Sequence, residues 1–173
     1  MLATFKYTDT ELKKLLASMI VLVDTREQVN QHIINYFQLH NIPFTAIKLD
    51  TGDYSAMLPQ NFELGIYRDT YFPFTVERKN SIDELASSIK EERFEHELIR
   101  SQKGHFTLLI EGSYSDLVNG NYRSQYNPKA LLARIKTFEA RYSFSTTFLN
   151  DRQLSGNWIY NHLYYHVRAA LKG

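Results

Sequence analysis

The 173-residue chain contains no cysteine. That absence excludes a disulfide framework, a thiolate nucleophile and a cysteine-ligated zinc site. Long apolar runs are missing too: nothing approaches the roughly 20 residues that span a bilayer. Met1 to Lys14 carry charges every few positions and hold no continuous apolar segment, so no secretory signal is expected. There is no internal repeat, low-complexity tract or linker. These absences together predict one soluble, cytoplasmic domain over residues 1–173, with no membrane partner.

An excess of charge of one sign is also lacking, with 20 basic residues, 19 acidic residues and a net charge of +1. Net charge hides distribution, however. If four acids gather at one site, the remaining surface carries a basic surplus that suits a polyanionic partner. Hydrophobic residues at 43% and charged residues at 23% are ordinary globular proportions, and the length suffices for a substantial core.

Apolar spacing predicts an N-terminal helix over Asp9–Ser18, within a helical extension covering residues 1–19. Ile20 to Val23 reads as a buried strand ending at Asp24. A helix follows from about Val29 to His40, stopped by Asn41-Ile42-Pro43. Phe44–Leu49, Tyr54–Leu58 and Tyr71–Val76 read as strands, with an extra hairpin arm between Phe62 and Thr70. Ser81, with Glu84 three residues on, forms a capping box for one continuous helix through Ile82, Leu85, Ile89, Phe94 and Leu98. His105–Ile110 is a very apolar strand. Ser113–Tyr126 reads as a polar, aromatic-rich loop, and Asn127-Pro128 starts a helix reaching Arg141. Phe144–Leu149 is a last strand and 153–173 a last helix. The alternation predicts an α/β domain with a mixed central sheet flanked by helices.

Three short segments carry the chemistry: Val23-Asp24-Thr25-Arg26-Glu27, Gly52-Asp53-Tyr54, and Val76-Glu77-Arg78-Lys79 followed by Asp83. Each puts an acid at a strand end, where loops converge. In a strand, Glu77 and Lys79 share a face and Arg78 points the other way. Hard carboxylate oxygens suit Mg²⁺ or Mn²⁺, which polarise a phosphoryl oxygen and acidify a bound water. A neighbouring lysine and arginine suit a phosphate. Separately, the segments have ordinary readings: Gly-Asp as turn chemistry, Arg-Lys as a solvated face, and Asp83 as a helix-dipole partner. The combination is far more specific.

The chain here resembles the XPF family of structure-selective nucleases. Gly52-Asp53, Glu77-Arg78-Lys79 and Asp83 match that family's GD…ERKxxxD signature, and Val23-Asp24 with Arg26-Glu27 matches its first strand motif. Ser87-Ser88-Ile89 with Arg93-Phe94, and Leu108 to Gly112, extend the match from about Ile20 to Leu171. The resemblance implies a restriction-endonuclease-like core of the PD-(D/E)XK type and a metal-dependent endonuclease. By that correspondence Asp24, Asp53 and Glu77 hold Mg²⁺, with Mn²⁺ as a substitute, and the Arg78 carbonyl adds a ligand. Lys79 is the catalytic lysine. Arg78 and Asp83 support the site by pairing. Arg93 faces the DNA phosphate or holds the site. Glu27 ligates a second metal or orients Arg26. Two departures from the family stand out: a long Ser55–Thr75 link, and Lys90-Glu91-Glu92 where a glycine is common, which predicts an unbent helix.

Arg26, Tyr54, Arg93, Arg123, Lys129 and Arg134 are the candidate DNA-binding residues, with Ser113–Tyr126 as a clamp or simply a cover for the core. The last helix is apolar on several sides, and the resemblance implies a homodimer through it; a monomer burying it is the alternative. His162 and His166 lie four apart, a zinc-binding spacing, but no third ligand is evident and surface or interface histidines are the simpler reading. The family's helix–hairpin–helix and helicase domains are absent from this sequence, which suggests a stand-alone bacterial or phage form. The expected substrate is branched or flapped DNA. A non-catalytic DNA-binding subunit and a restriction-type nuclease acting on linear duplex are the other readings.

Overall fold

The computed structural model describes residues 6–173; the first five residues of the expected N-terminal extension lie outside them. Helix α1 (Asp9–Ala17) is followed by β1 (Ile20–Asp24), α2 (Gln31–Leu39), β2 (Phe44–Ile47) and β3 (Tyr54–Leu58). Next come β4 (Thr70–Tyr71), β5 (Phe74–Lys79), α3 (Ile82–Ser88), α4 (Glu92–Ser101) and β6 (His105–Glu111). The chain closes with α5 (Tyr114–Asn119), α6 (Pro128–Tyr142), β7 (Ser145–Leu149) and α7 (Ser155–Lys172).

The strands form one mixed sheet in the order β2-β1-β3-β5-β6-β7, with β4 added to β3. The β1/β2, β5/β6 and β6/β7 pairs are parallel, whereas β3 runs antiparallel to both β1 and β5. Along β5 and β6, successive side chains alternate between the two faces of the sheet. Val76 and Leu109 join Ile33, Phe37, Ile159 and Leu163 on the α2/α7 face. Leu108 and Ile110 join Leu85, Leu98, Leu131 and Ile135 on the α3–α6 face. The α/β architecture predicted from the alternation is the observed one.

Local chemistry explains most boundaries. The Asn127 side chain accepts the Ala130 amide, and Pro128 occupies the first turn of α6 where no donor is lost. Ser81 accepts the Glu84 amide, but the Glu84 carboxylate takes the amide of Asn80 rather than that of Ser81, one residue short of a reciprocal box.

Two expectations fail. The continuous helix after Ser81 breaks at Glu91, whose ψ of 139° is extended. The hydroxyls of Ser87 and Ser88 both turn back onto the Glu84 carbonyl, weakening the end of α3. The predicted loop Ser113–Tyr126 contains α5, capped by Ser113 and stopped by Gly120 in the left-handed conformation. The arm between Phe62 and Thr70 is present as a short 3₁₀ turn, Phe62–Leu64, followed by β4 paired to β3.

Helix α7 spends its apolar stripe on its own molecule. Ile159, Leu163 and Val167 are fully buried against α2, α1 and the sheet. The breadth of its apolar surface is therefore explained without a second chain, although Tyr165 stays largely exposed. No helix among the described residues is long and apolar enough to cross a membrane.

At the start of α7, a Cβ on Gly156 would come 2.5 Å from the Cβ of Tyr36 on α2, where neither atom can swing aside. Gly156→Ala should cost about 1–3 kcal/mol from overpacking. Thermal unfolding should show a Tm lower by several degrees; an unchanged Tm would contradict this α2–α7 contact.

Candidate active site

The C-terminal ends of β1 and β5, the Gly52-Asp53 turn and the first turns of α4 enclose an open cleft of about 380 Å³. Gly52 adopts a φ of 73° in the turn entering β3, and an added Cβ would lie 2.9 Å from that of Thr75. Only glycine fits this backbone comfortably. The turn is pinned at three points. The Gly52 amide donates to Glu97 at 2.8 Å, the Asp53 amide to the Val76 carbonyl, and the Arg78 amide to Asp53 Oδ2 at 2.7 Å.

Strand β5 then splits three consecutive charges between two faces. Glu77 and Lys79 face the cleft, and Lys79 Nζ donates to Glu77 Oε1 at 2.9 Å while lying 5.6 Å over the Phe94 ring. Arg78 points to the opposite face, as the strand period requires. There its guanidinium donates to both oxygens of Glu27 at 2.9 and 3.1 Å, to Glu111, and to the Gln28 carbonyl. Glu111 is also engaged by His32 and Ser155. All three residues of β5 are buried.

The acids separate into two electrostatic classes. Burial pushes Glu77 up to about 7; Lys79 opposes the rise, and a hydrogen bond with Glu97 adds to it. Burial also holds Asp53 well above the usual carboxylate range, reinforced by the charges of Glu77 and Glu27. Asp24 and Glu111 behave oppositely. Burial alone would raise Asp24, but Arg26 and the amides of Leu49 and Arg26 outweigh it and hold the group low. For Glu111, burial is outweighed by Ser155, Arg78 and His32. A carboxyl held high is one whose negative charge lacks sufficient compensation.

A family model for the ERCC4 domain matches residues 23–162. The chain belongs to the ERCC4 domain family. No curated protein sequence matches it. Its fold is similar to that of XPF from Aeropyrum pernix, with a TM-score of 0.62 and 20% identity over 86% of this chain and 65% of that one. It is likewise similar to XPF from Aeropyrum pernix in complex with DNA, with a TM-score of 0.60 and 19% identity over 87% of this chain and 66% of that one. The present chain thus spans just under two thirds of the length of these relatives.

Within this ERCC4 domain the expected site residues divide. Asp24, Arg26, Asp53, Glu77, Arg78, Lys79 and Arg93 all line the cleft. Asp24, however, gives one oxygen to the amide and Nε of Arg26, and the other to Arg26 Nη2 and the Leu49 amide. Arg26 is therefore oriented by Asp24, and Glu27 holds Arg78 instead. Asp83 does not pair with Arg78: its carboxylate accepts the amides of Arg123 and Ser124 and anchors that loop. Tyr54 is 0% exposed, and its hydroxyl accepts from Asn30, so the expected DNA contact is sterically closed. It lies on a central strand covered on both faces. Arg93, Arg123 and Lys129 are exposed, whereas Arg134 is tied to the Ile89 carbonyl and lies over the Phe138 ring.

Three participants went unassigned in the sequence. Glu97 and Arg100 line the cleft, and their spacing from Arg93, at i, i+4 and i+7 on α4, was a legible signal. Glu111 stood within a quoted motif, but its partnership with Arg78 joins residues 33 apart and has no local signature.

Removing Arg78 would leave Glu27 and Glu111 buried without their main cation. Arg78→Met should destabilise the fold by about 3–5 kcal/mol, read as a lower urea midpoint. A loss below about 1 kcal/mol, typical of an exposed pair, would show that the buried network is not structural.

Proposed function

We propose that this ERCC4 domain is a divalent-metal-dependent endonuclease that hydrolyses DNA phosphodiester bonds in branched or flapped DNA. The observation that carries the reading is the pair Asp53 and Glu77, both held above the normal carboxylate range by burial in a cleft that also contains Lys79. Such a cluster favours a cation, and its donors are hard oxygens, which fit Mg²⁺ with Mn²⁺ as a substitute. Because Asp24 is spent on Arg26 and Leu49, the proposed ligand set is Asp53, Glu77 and Glu97. Asp24 becomes a positioning residue. The carboxylates line the cleft wall, each held by its own partner.

A bound ion supplies Lewis acidity and a more acidic water. The remaining work falls to the chain's own side chains. Lys79 holds its ammonium beside Glu77, where it orients a water for attack on phosphorus or faces the charge that develops on the phosphoryl oxygens. Arg93 and Arg100 on the cleft wall, with Arg26 at the mouth, contact neighbouring phosphates and make affinity salt-dependent. Arg123 and Lys129 extend that basic rim. A homodimer formed through the outward side of α7, where Tyr165 is 61% exposed, is the corresponding assembly. Repair, recombination and phage DNA processing all supply branched substrates of this kind.

Incubation with labelled flap, fork, four-way-junction and linear duplexes in Mg²⁺, Mn²⁺ or EDTA tests the proposal. Cutting should require the ion and favour branched substrates. Asp53→Ala and Lys79→Ala should each lower the cleavage rate on the order of 100-fold or more, with folding and most DNA binding retained. Glu97→Gln should raise the Mg²⁺ concentration for half-maximal cutting more than Asp24→Asn does. Wild-type cutting by Lys79→Ala, or cutting undiminished in EDTA, would end this reading. For the assembly, light scattering at micromolar concentration should give twice the mass of one chain, and a monomer would refute it.

A further inference from the structure

A second cluster of ligating side chains lies at the other end of the β5/β6 pair, away from the acidic cleft. His105 opens β6 in register with Phe74, whereas Glu77 and Lys79 pair with Leu108 and Ile110 further along. On β6, His105 and Thr107 share the α7 face with Leu109. From α7, His162 and His166 descend onto them at helical spacing i, i+4.

One ring nitrogen from each of His105, His162 and His166 falls within 4.8 Å of the other two. The ring centroids of His162 and His166 are 4.1 Å apart, and those of His105 and His166 are 4.8 Å apart. The group contains no carboxylate. Among the described residues it is also the one set of three potential ligands drawn this close together.

The surroundings are those of ligating imidazoles. His166 Nδ1 is 2.7 Å from the His162 carbonyl oxygen. A carbonyl only accepts, so Nδ1 carries the hydrogen and Nε2 is left with its lone pair. Donation of the second ring nitrogen to a carbonyl is the usual outer-sphere arrangement of a metal-bound histidine. His162 Nε2 lies 3.2 Å from the hydroxyl of Thr107, a buried residue, and the ring stacks on Trp158 with centroids 4.6 Å apart. Phe74 braces His166 at 5.4 Å. Two of the three rings are thus fixed from behind, while His105 is exposed and its ring lies against His166.

We propose that His105, His162 and His166 form a binding site for a borderline transition cation of the Zn²⁺ class, clipping the start of β6 to α7. Three imidazoles suit Zn²⁺, Ni²⁺ or Cu²⁺ and are poor ligands for the hard Mg²⁺. Nitrogens bound at 2.0–2.1 Å to one tetrahedral ion lie roughly 3.3 Å apart. The rings therefore close by up to about 1.5 Å on binding. This site shares no residue with the acidic cleft, and its existence is independent of the proposed nuclease activity.

The test uses untagged, metal-stripped full chain titrated with Zn²⁺ by calorimetry, and with Co²⁺, whose visible absorption reports its coordination geometry. The expected result is one high-affinity ion per chain with a nitrogen-rich Co²⁺ spectrum, unaffected by millimolar Mg²⁺. At a hundredfold excess over Kd, Zn²⁺ should raise the Tm by about 5 °C or more. Both effects should vanish in His105→Ala, an exposed position whose substitution leaves the core intact, and in His166→Gln. They should persist in Asp53→Asn, which separates this site from the cleft. Absence of binding, or binding that survives His105→Ala and His166→Gln with unchanged affinity, would overturn the proposal.

Discussion

Strand β5 carries Glu77, Arg78 and Lys79 in succession, all buried, and the molecule is arranged around the need to keep those charges partnered. Burying an isolated charge is prohibitive, and a buried pair is tolerable only when its remaining donors and acceptors are also satisfied. The period of a strand divides the problem. Arg78 goes to the α7 face, where Glu27 comes from the loop after β1 and Glu111 from the end of β6. His32 on α2 and Ser155 at the start of α7 complete the shell around Glu111. One guanidinium thus ties together five parts of the chain. On the other face, Glu77 has Lys79 on one side and a second carboxylate, Glu97, on the other.

That asymmetry separates structure from chemistry. On the Arg78 face each acid has a cation and further donors, so Glu111 is held low in pKa and the network is closed. On the cleft face the carboxylates outnumber the cations, and Asp53 and Glu77 are held high. Asp24 belongs electrostatically with the first group, although it lines the cleft with the second. A single motif on one strand thus builds both a rigid support and an under-compensated acidic pocket. The same alternation, continued at the far end of β5 and β6, brings His105 beneath α7.

Features set by short-range spacing were legible in the sequence. The order of strands and helices, the Asn127-Pro128 cap and the opposed faces of Arg78 and Lys79 follow from local periodicity and turn chemistry, whereas the gathering of Asp24, Asp53, Glu77 and Lys79 around one cleft was implied by the family resemblance. What escaped was decided by distant partners. Asp83 adjoins the motif in sequence but spends its carboxylate on amides some 40 residues away. Tyr54 neighbours Asp53 yet lies on a strand buried along its whole length, and no count of aromatic residues reveals that. His105 is separated from His162 by α5, α6, β7 and the start of α7, so the third imidazole was invisible to helical spacing. The break between α3 and α4 hinged on two serine hydroxyls competing for one carbonyl, a balance too fine for an apolar stripe to register.

The central claim is that Glu77 sits in a pocket short of positive charge which a divalent ion completes. A ¹³C-carboxyl NMR titration of glutamate-labelled protein, with Glu77 assigned by Glu77→Gln, measures this directly. In metal-free protein the Glu77 resonance should titrate near 7, as burial dictates, and saturating Mg²⁺ should move its midpoint well below the ordinary glutamate value. A Glu77 midpoint near 4.5 that Mg²⁺ does not shift would contradict the account.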